Sequence, residues 1–149
     1  MRIFFDCEFI EDGETIELLS IGIAREDGAT YYAEVAETDR SRACDWVKAN
    51  VIPNLTGPVL TRAQIAQDIV TFAGETPEWW AYYADYDWVA LCQIYGRMID
   101  LPDGWPMHCR DLRQHLDENG FAHISQPDSN HNALDDAKWV RTTWFGVQP

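Results

Sequence analysis

The order of elements along the chain predicts a mixed α/β fold, and three observations carry it. Apolar β-branched and aromatic runs joined by short turns open the sequence; helical stretches with recognisable caps follow; and one strand-like apolar run lies between helices in the middle.

MRIFFDCEFI (residues 1–10) is rich enough in β-branched and aromatic residues for a strand, TIELLSIGIARE (15–26) continues with alternating character, and the turn EDG at 26–28 leads into TYYAEVAE (30–37). Tight connections make these three strands antiparallel neighbours. SRACDWVKANVI (41–52) reads as a helix with Ser41 as its cap. TRAQIAQDIVTFAG (61–74) reads as a second helix, with Thr61 as cap, Gln64 three residues later and Gly74 as the stop. EWWAYYA (78–84) is a buried strand and DYDWVALCQIYGRM (85–98) an amphipathic helix. Pro102, Gly104 and Pro106 mark a loop. MHCRDLRQHLDENG (107–120) passes from a short strand into a helix that stops at Gly120, ISQPDSNHN (124–132) is loop, and a last helix runs from about Asn132 to Trp144.

Composition bounds the function. The 149 residues, 46% hydrophobic and 13% aromatic, suffice for the core of one globular domain. Twenty-five acids against 11 bases give a formal net charge of −14, which disfavours a broad DNA-coating surface. Cys7, Cys44, Cys92 and Cys109 form neither a C-x-x-C pair nor a compact disulfide framework, and Asp6 and Glu8 interrupt the opening apolar run, so no signal peptide is read. A reducing cytoplasm is the expected compartment. No apolar run approaches the roughly 18 residues that span a bilayer, so no membrane partner is expected.

Three acidic stretches carry the chemistry. In a strand, Asp6 and Glu8 share a face, with Cα atoms about 6 to 7 Å apart, while Phe5, Cys7 and Phe9 take the other. Two readings fit them: a solvated face of an edge strand, or a buried pair neutralised by a divalent cation. Asp85 and Asp87 both fall where the strand 78–84 gives way to a helix, the end of an α/β sheet where ligands gather. Asp85 is better placed to cap that helix. In HNALDD (131–136), Asn132 as N-cap puts Asp135 at N3, a sufficient structural explanation for it. His131 and Asp136 remain, the first just outside the helix and the second free to face inward.

D-x-E at Asp6 and Glu8, Asp87 in an aromatic-Asp-x-x-x-Leu setting, and H-x-A-L-x-D at His131 and Asp136 resemble, in order and spacing, the three motifs of the DEDDh 3′-5′ exonucleases. The resemblance spans residue 3 to about residue 140. The opening DCEFIEDGETIELLSIGIAREDG followed by YYAEV is similar to the small actinobacterial and phage 3′-5′ exoribonucleases related to RNase T and oligoribonuclease. One departure stands out: many members carry Asn four residues before the second-motif aspartate, where this chain has Tyr83. That weakens the choice of Asp87 over Asp85, whereas Leu91 at the right distance favours Asp87.

The resemblance implies a ribonuclease H-like fold with a mixed sheet of about five strands, the first three antiparallel, flanked by helices. It also implies two divalent cations, Mg²⁺ or Mn²⁺, held by Asp6, Glu8, Asp87 and Asp136, a donor set that suits hard ions. His131 is then the general base, and the reaction is release of nucleoside 5′-monophosphates from a single-stranded RNA 3′ end. Phe9 and the loop residue Trp105 are the candidates for stacking on substrate bases. The other tryptophans, Trp46, Trp79, Trp80, Trp88, Trp139 and Trp144, occupy positions that serve as core, and Arg110 and Arg113 either meet phosphates or solvate a helix. His108 with Cys109 and Cys7 matches no common zinc spacing. Two other functions fit the same residues less fully: a single-strand DNA exonuclease on the same fold, and a non-catalytic nucleic-acid-binding domain. The family's members are commonly homodimers, which makes a homodimer the expected assembly.

Overall fold

A computed structural model of the chain describes residues 1–124, 126 and 131–147. Strands β1 (Arg2–Glu11), β2 (Ile16–Arg25) and β3 (Thr30–Val35) form an antiparallel meander, and β4 (Val59–Leu60), β5 (Glu78–Ala81) and β6 (Arg110–Asp111) complete a six-stranded mixed sheet in the order β4-β3-β2-β1-β5-β6. β5 runs parallel to β1, and β6 parallel to β5. Helices α1 (Asp45–Asn50), α2 (Arg62–Ala73), α3 (Asp85–Tyr95), α4 (Leu112–Glu118) and α5 (Ala133–Gly146) flank it. This is the expected α/β architecture with one strand more, since the two residues of β4 are too few to show a pattern in the sequence. Among the described residues no helix is long and apolar enough to cross a membrane.

β1 is central, and its alternation sorts the core. Ile3, Phe5 and Cys7 face Ile65 and Ile69 of α2 and Ala90, Leu91 and Ile94 of α3. Phe4 faces the opposite way, onto Leu112 and Leu116 of α4 and Val140 and Trp144 of α5. Ile10 and Leu19 join Ala43, Val47 and Val51 beneath α1. Asp6 and Glu8 therefore occupy a polar interval between two apolar clusters, on a central strand and not on a solvated edge. Immediately after Glu8 the β1–β2 register shifts, a bulge of the sort that re-aims side chains next to active sites.

Local chemistry accounts for the boundaries. Thr61 and Gln64 form a reciprocal capping box and Gly74 ends α2 with φ 78°, as expected. Ser41 is not the cap of the next predicted helix: the Asp39 carboxylate accepts from the Ser41 amide (3.0 Å) and hydroxyl (2.7 Å), which closes a separate 3-10 turn over Arg40–Arg42. α1 starts only at Asp45, with Cys44 as an N-cap that makes no side-chain bond. β5 ends at Ala81 and not at Ala84, and Tyr83 beyond it has φ 55°. Of the loop 124–132, residue 125 and residues 127–130 lie outside the described residues.

Candidate active site

The site forms where β5 stops short of β1. The two strands pair only over Arg2–Phe4 and Glu78–Trp80, so the upper half of β1 has no strand partner on that edge. The first turn of α3 takes the place: the Cys7 amide donates to Asp87 Oδ1 at 2.8 Å, and Asp87 is buried. Asp85, one turn-position away, is exposed. It is not the N-cap either, a position held by Ala84, whose amide donates to Asp111 Oδ2 at 2.7 Å. Asp111 also caps α4 through the Gln114 amide (2.9 Å), so one carboxylate at the end of β6 ties down both the β5–α3 turn and the next helix. No sequence motif singles out Asp111.

α5 supplies the other side. Asn132 Oδ1 accepts from the Leu134 and Asp135 amides at 3.1 and 3.3 Å, the expected N-cap. Asp135 turns outward and pairs with Lys138 at 3.0 Å, and Asp136 turns inward and is buried. The approach of this helix start to the sheet depends on Gly22, which lies across from Asp6 on β2. A Cβ there would fall 2.2 Å from the Ala133 carbonyl carbon and the Leu134 amide nitrogen. Gly22→Ala is therefore expected to push the first turn of α5 away from the sheet, costing about 3 kcal/mol in denaturant unfolding. Unchanged stability would show that the helix start tolerates displacement.

Asp6, Glu8 and Asp136 are brought together, with one carboxylate oxygen from each lying within 4.8 Å of the others; among the described residues this is the single group with metal-ligand spacing. Asp87 stands beside the group, its charge acting on Asp6 more strongly than that of Asp136 or Glu8. Burial, reinforced by Asp87, Asp136 and Glu8, holds the Asp6 carboxyl well above its ordinary value. Burial together with Asp136 and Asp87 pushes Glu8 up to about 8. Asp87 is raised by burial to about 7, against the opposing effect of the Cys7 amide. Such a cluster gains from a divalent cation, and its all-carboxylate donor set fits a hard one.

The remaining expected residues divide. His131 is half-buried at the entrance to α5, with φ 46°, and its ring meets the edge of Trp46 at 4.8 Å between centroids. Trp46 is thus not core: it is 55% exposed on α1. Phe9 is half-buried and packs edge-on against the exposed Tyr86, 6.0 Å away. Trp105 is not a substrate platform but a core residue, 8% exposed, packed on Trp79 (5.1 Å) and Tyr95 (5.4 Å) with its indole donating to the Gly74 carbonyl at 3.0 Å. A loop rich in Pro and Gly looks exposed in sequence; here it folds its one tryptophan inward because that indole finds both an aromatic slot and an acceptor. Arg110 and Arg113 are engaged locally, the first with Glu78 (3.7 Å) and over the Trp80 ring, the second with Asp117. Cys109 donates to the Trp79 carbonyl, and burial raises its thiol and that of Cys7.

Residues 1–147 match the family described as the 3′-5′ exoribonuclease Rv2179c-like domain. Two relatives from Mycobacterium tuberculosis, the 3′-5′ exoribonuclease Rv2179c of strain H37Rv and the 3′-5′ exoribonuclease MT2234.1 of strain CDC 1551, are each 44% identical over 147 residues, covering 93% of this chain and 88% of theirs.

Proposed function

Since the chain belongs to the Rv2179c-like 3′-5′ exoribonuclease family, we propose that its carboxylate cluster is a DEDDh-type centre that removes nucleoside 5′-monophosphates one at a time from single-stranded RNA 3′ ends. The observation that carries this reading is the convergence of Asp6, Glu8 and Asp136, from opposite ends of the sequence, into one partly buried group with Asp87 beside it. Asp6, Glu8, Asp87 and Asp136 would hold two divalent cations, Mg²⁺ or Mn²⁺. When bound, such ions supply Lewis acidity that activates water and stabilises the leaving 3′ oxygen of an in-line displacement.

The chain's own groups do the rest. The four carboxylates create a negative pocket that, once neutralised, admits a phosphodiester in an otherwise acidic protein. The Cys7 amide holds Asp87 in place, and Asp111 holds the turn before it. His131, on the α1 side of the cluster, accepts the proton from the attacking water. Phe9, on the strand that carries Asp6 and Glu8, stacks against the terminal base. The four cysteines are free thiols, in keeping with a cytoplasmic setting.

The test is hydrolysis of 3′- and 5′-labelled single-stranded RNA and DNA oligomers in Mg²⁺, Mn²⁺ or EDTA, beside Asp136→Asn. Stepwise loss from the RNA 3′ end that requires both metal and Asp136 is the expected result; equal rates on DNA would remove the RNA preference, and no cleavage in any metal would remove the activity. His131→Ala is expected to lower kcat about 10²- to 10⁴-fold while cation affinity stays within about threefold, because a general base contributes to turnover and not to metal binding. A parallel loss of affinity would make His131 a ligand.

A further inference from the structure

Among the described residues, two that are not glycine have positive φ: His131 and Tyr83. For a bulky aromatic residue that conformation is costly, and strain of this kind persists only where the surroundings impose it. At Tyr83 they do so on both sides. The preceding Tyr82 is buried edge-on against Trp139 of α5, 4.9 Å between centroids, and its hydroxyl donates to the Ile124 carbonyl at 3.2 Å. The following Ala84 is fixed by its amide bond to Asp111 and by its carbonyl, which accepts from the Trp88 amide at 2.9 Å.

The strained backbone does not serve the core, because the Tyr83 ring is turned outward. It is 62% exposed, and its ring contact is with the edge of Tyr82 at 4.6 Å. Its position is specific. Asp87 follows four residues later on α3, and Trp139, against which Tyr82 packs, lies one helical turn beyond Asp136 on α5. Tyr83 thus stands at the mouth between the two helices that deliver carboxylates, on the β5 side of β1. Trp46 and His131 stand on the other side, towards α1, which covers β1 and β2.

We infer that Tyr83 is a substrate-binding residue whose ring stacks on a nucleobase upstream of the scissile phosphate, an assignment that rests on the exoribonuclease reading above. In-line displacement places the leaving 3′ oxygen, and the nucleotide that carries it, opposite the attacking water. With His131 receiving the proton from that water, the upstream nucleotide leaves towards the β5 side, where the exposed ring is held. An aromatic face serves every base, so Tyr83 contributes affinity for single strands with little sequence preference.

The experiment compares wild type, Tyr83→Phe and Tyr83→Asn on two single-stranded oligoribonucleotides, one natural and one in which the two nucleotides preceding the scissile bond are abasic spacers. Asn accepts left-handed backbone, so the variant keeps the turn while removing the ring. Tyr83→Asn is expected to lower kcat/KM on the natural oligomer about 5- to 150-fold, chiefly through KM, the range that one stacked base contributes. On the abasic oligomer its rate should match wild type within about twofold, and Tyr83→Phe should behave as wild type on both, with melting temperatures unchanged or, for Asn, raised. Equal losses on both oligomers would overturn the inference and make Tyr83 a positioning residue for Asp87; no loss on either would overturn it outright. Wild-type protein inactive on the natural oligomer would instead remove the exoribonuclease reading and the inference with it.

Discussion

Asp6→Asn is expected to slow RNA hydrolysis by roughly 10³- to 10⁵-fold, the several kcal/mol that metal-assisted stabilisation of an in-line displacement supplies. The same substitution is expected to make the metal-free protein more stable at pH 8.5, by about 1 to 3 kcal/mol in denaturant unfolding. Both signs have one cause. Asp6 sits on the central strand, desolvated, and within reach of the charges on Asp87, Asp136 and Glu8. On the proposed reading its charge is tolerated for what it binds, not for what it holds together, and Asn keeps its shape while removing the repulsion. The trade of stability for activity marks a functional site. Retained hydrolysis would take Asp6 out of the chemistry, and a destabilised metal-free variant would mean that Asp6 has a structural partner.

The second large effect is a pH dependence with the opposite slope to ordinary acid denaturation. Glu8 is raised from 4.5 to about 8 and Asp87 from 3.8 to about 7, with Asp6 raised well above 3.8. A carboxyl whose folded pKa exceeds its unfolded one binds its proton more tightly in the native state. Its contribution to stability is complete below about pH 4 and is lost as pH rises through 7 to 8. The exposed Asp12, Asp27, Asp39 and Asp100, lowered chiefly by hydrogen bonds from backbone amides for Asp12 and Asp27, from the Ser41 hydroxyl for Asp39 and from the Arg97 side chain for Asp100, act in the other direction but only below pH 4.

In EDTA the melting temperature is therefore expected to fall by about 5 to 15 °C between pH 5.5 and 8.5. This corresponds to about 2 to 4 kcal/mol, discounted because solvent reaches Glu8. Millimolar Mg²⁺ or Mn²⁺ should flatten or invert that slope, since cation binding displaces the same protons and stabilises the state that releases them. A metal-free melting temperature that rises over this interval would show that the carboxylates are not crowded in solution.

Much of this protein is legible in its sequence. The alternation of β1, the Thr61–Gln64 box, the Asn132 cap and the place of Asp135 at N3 are local matters, decided by neighbours three or four residues away, and each stands as its residues indicated. What failed was equally instructive. Ser41 lost its capping role to a turn closed by Asp39, two residues earlier. Trp46 and Trp105 exchanged places, the first exposed beside His131 and the second buried on Trp79, because a tryptophan's fate depends on whether distant residues leave it a slot.

By itself the sequence determined the fold class, the strand that carries Asp6 and Glu8, and the helix start that presents Asp136, since side-chain period and capping chemistry act over a few residues. Only the tertiary structure decided that Asp87 and not Asp85 turns inward, through an amide on β1 eighty residues away that has no strand partner. It alone set the distance between β2 and α5, through the missing side chain of Gly22. Close approach and unpaired backbone groups arise between elements, and no local pattern records them.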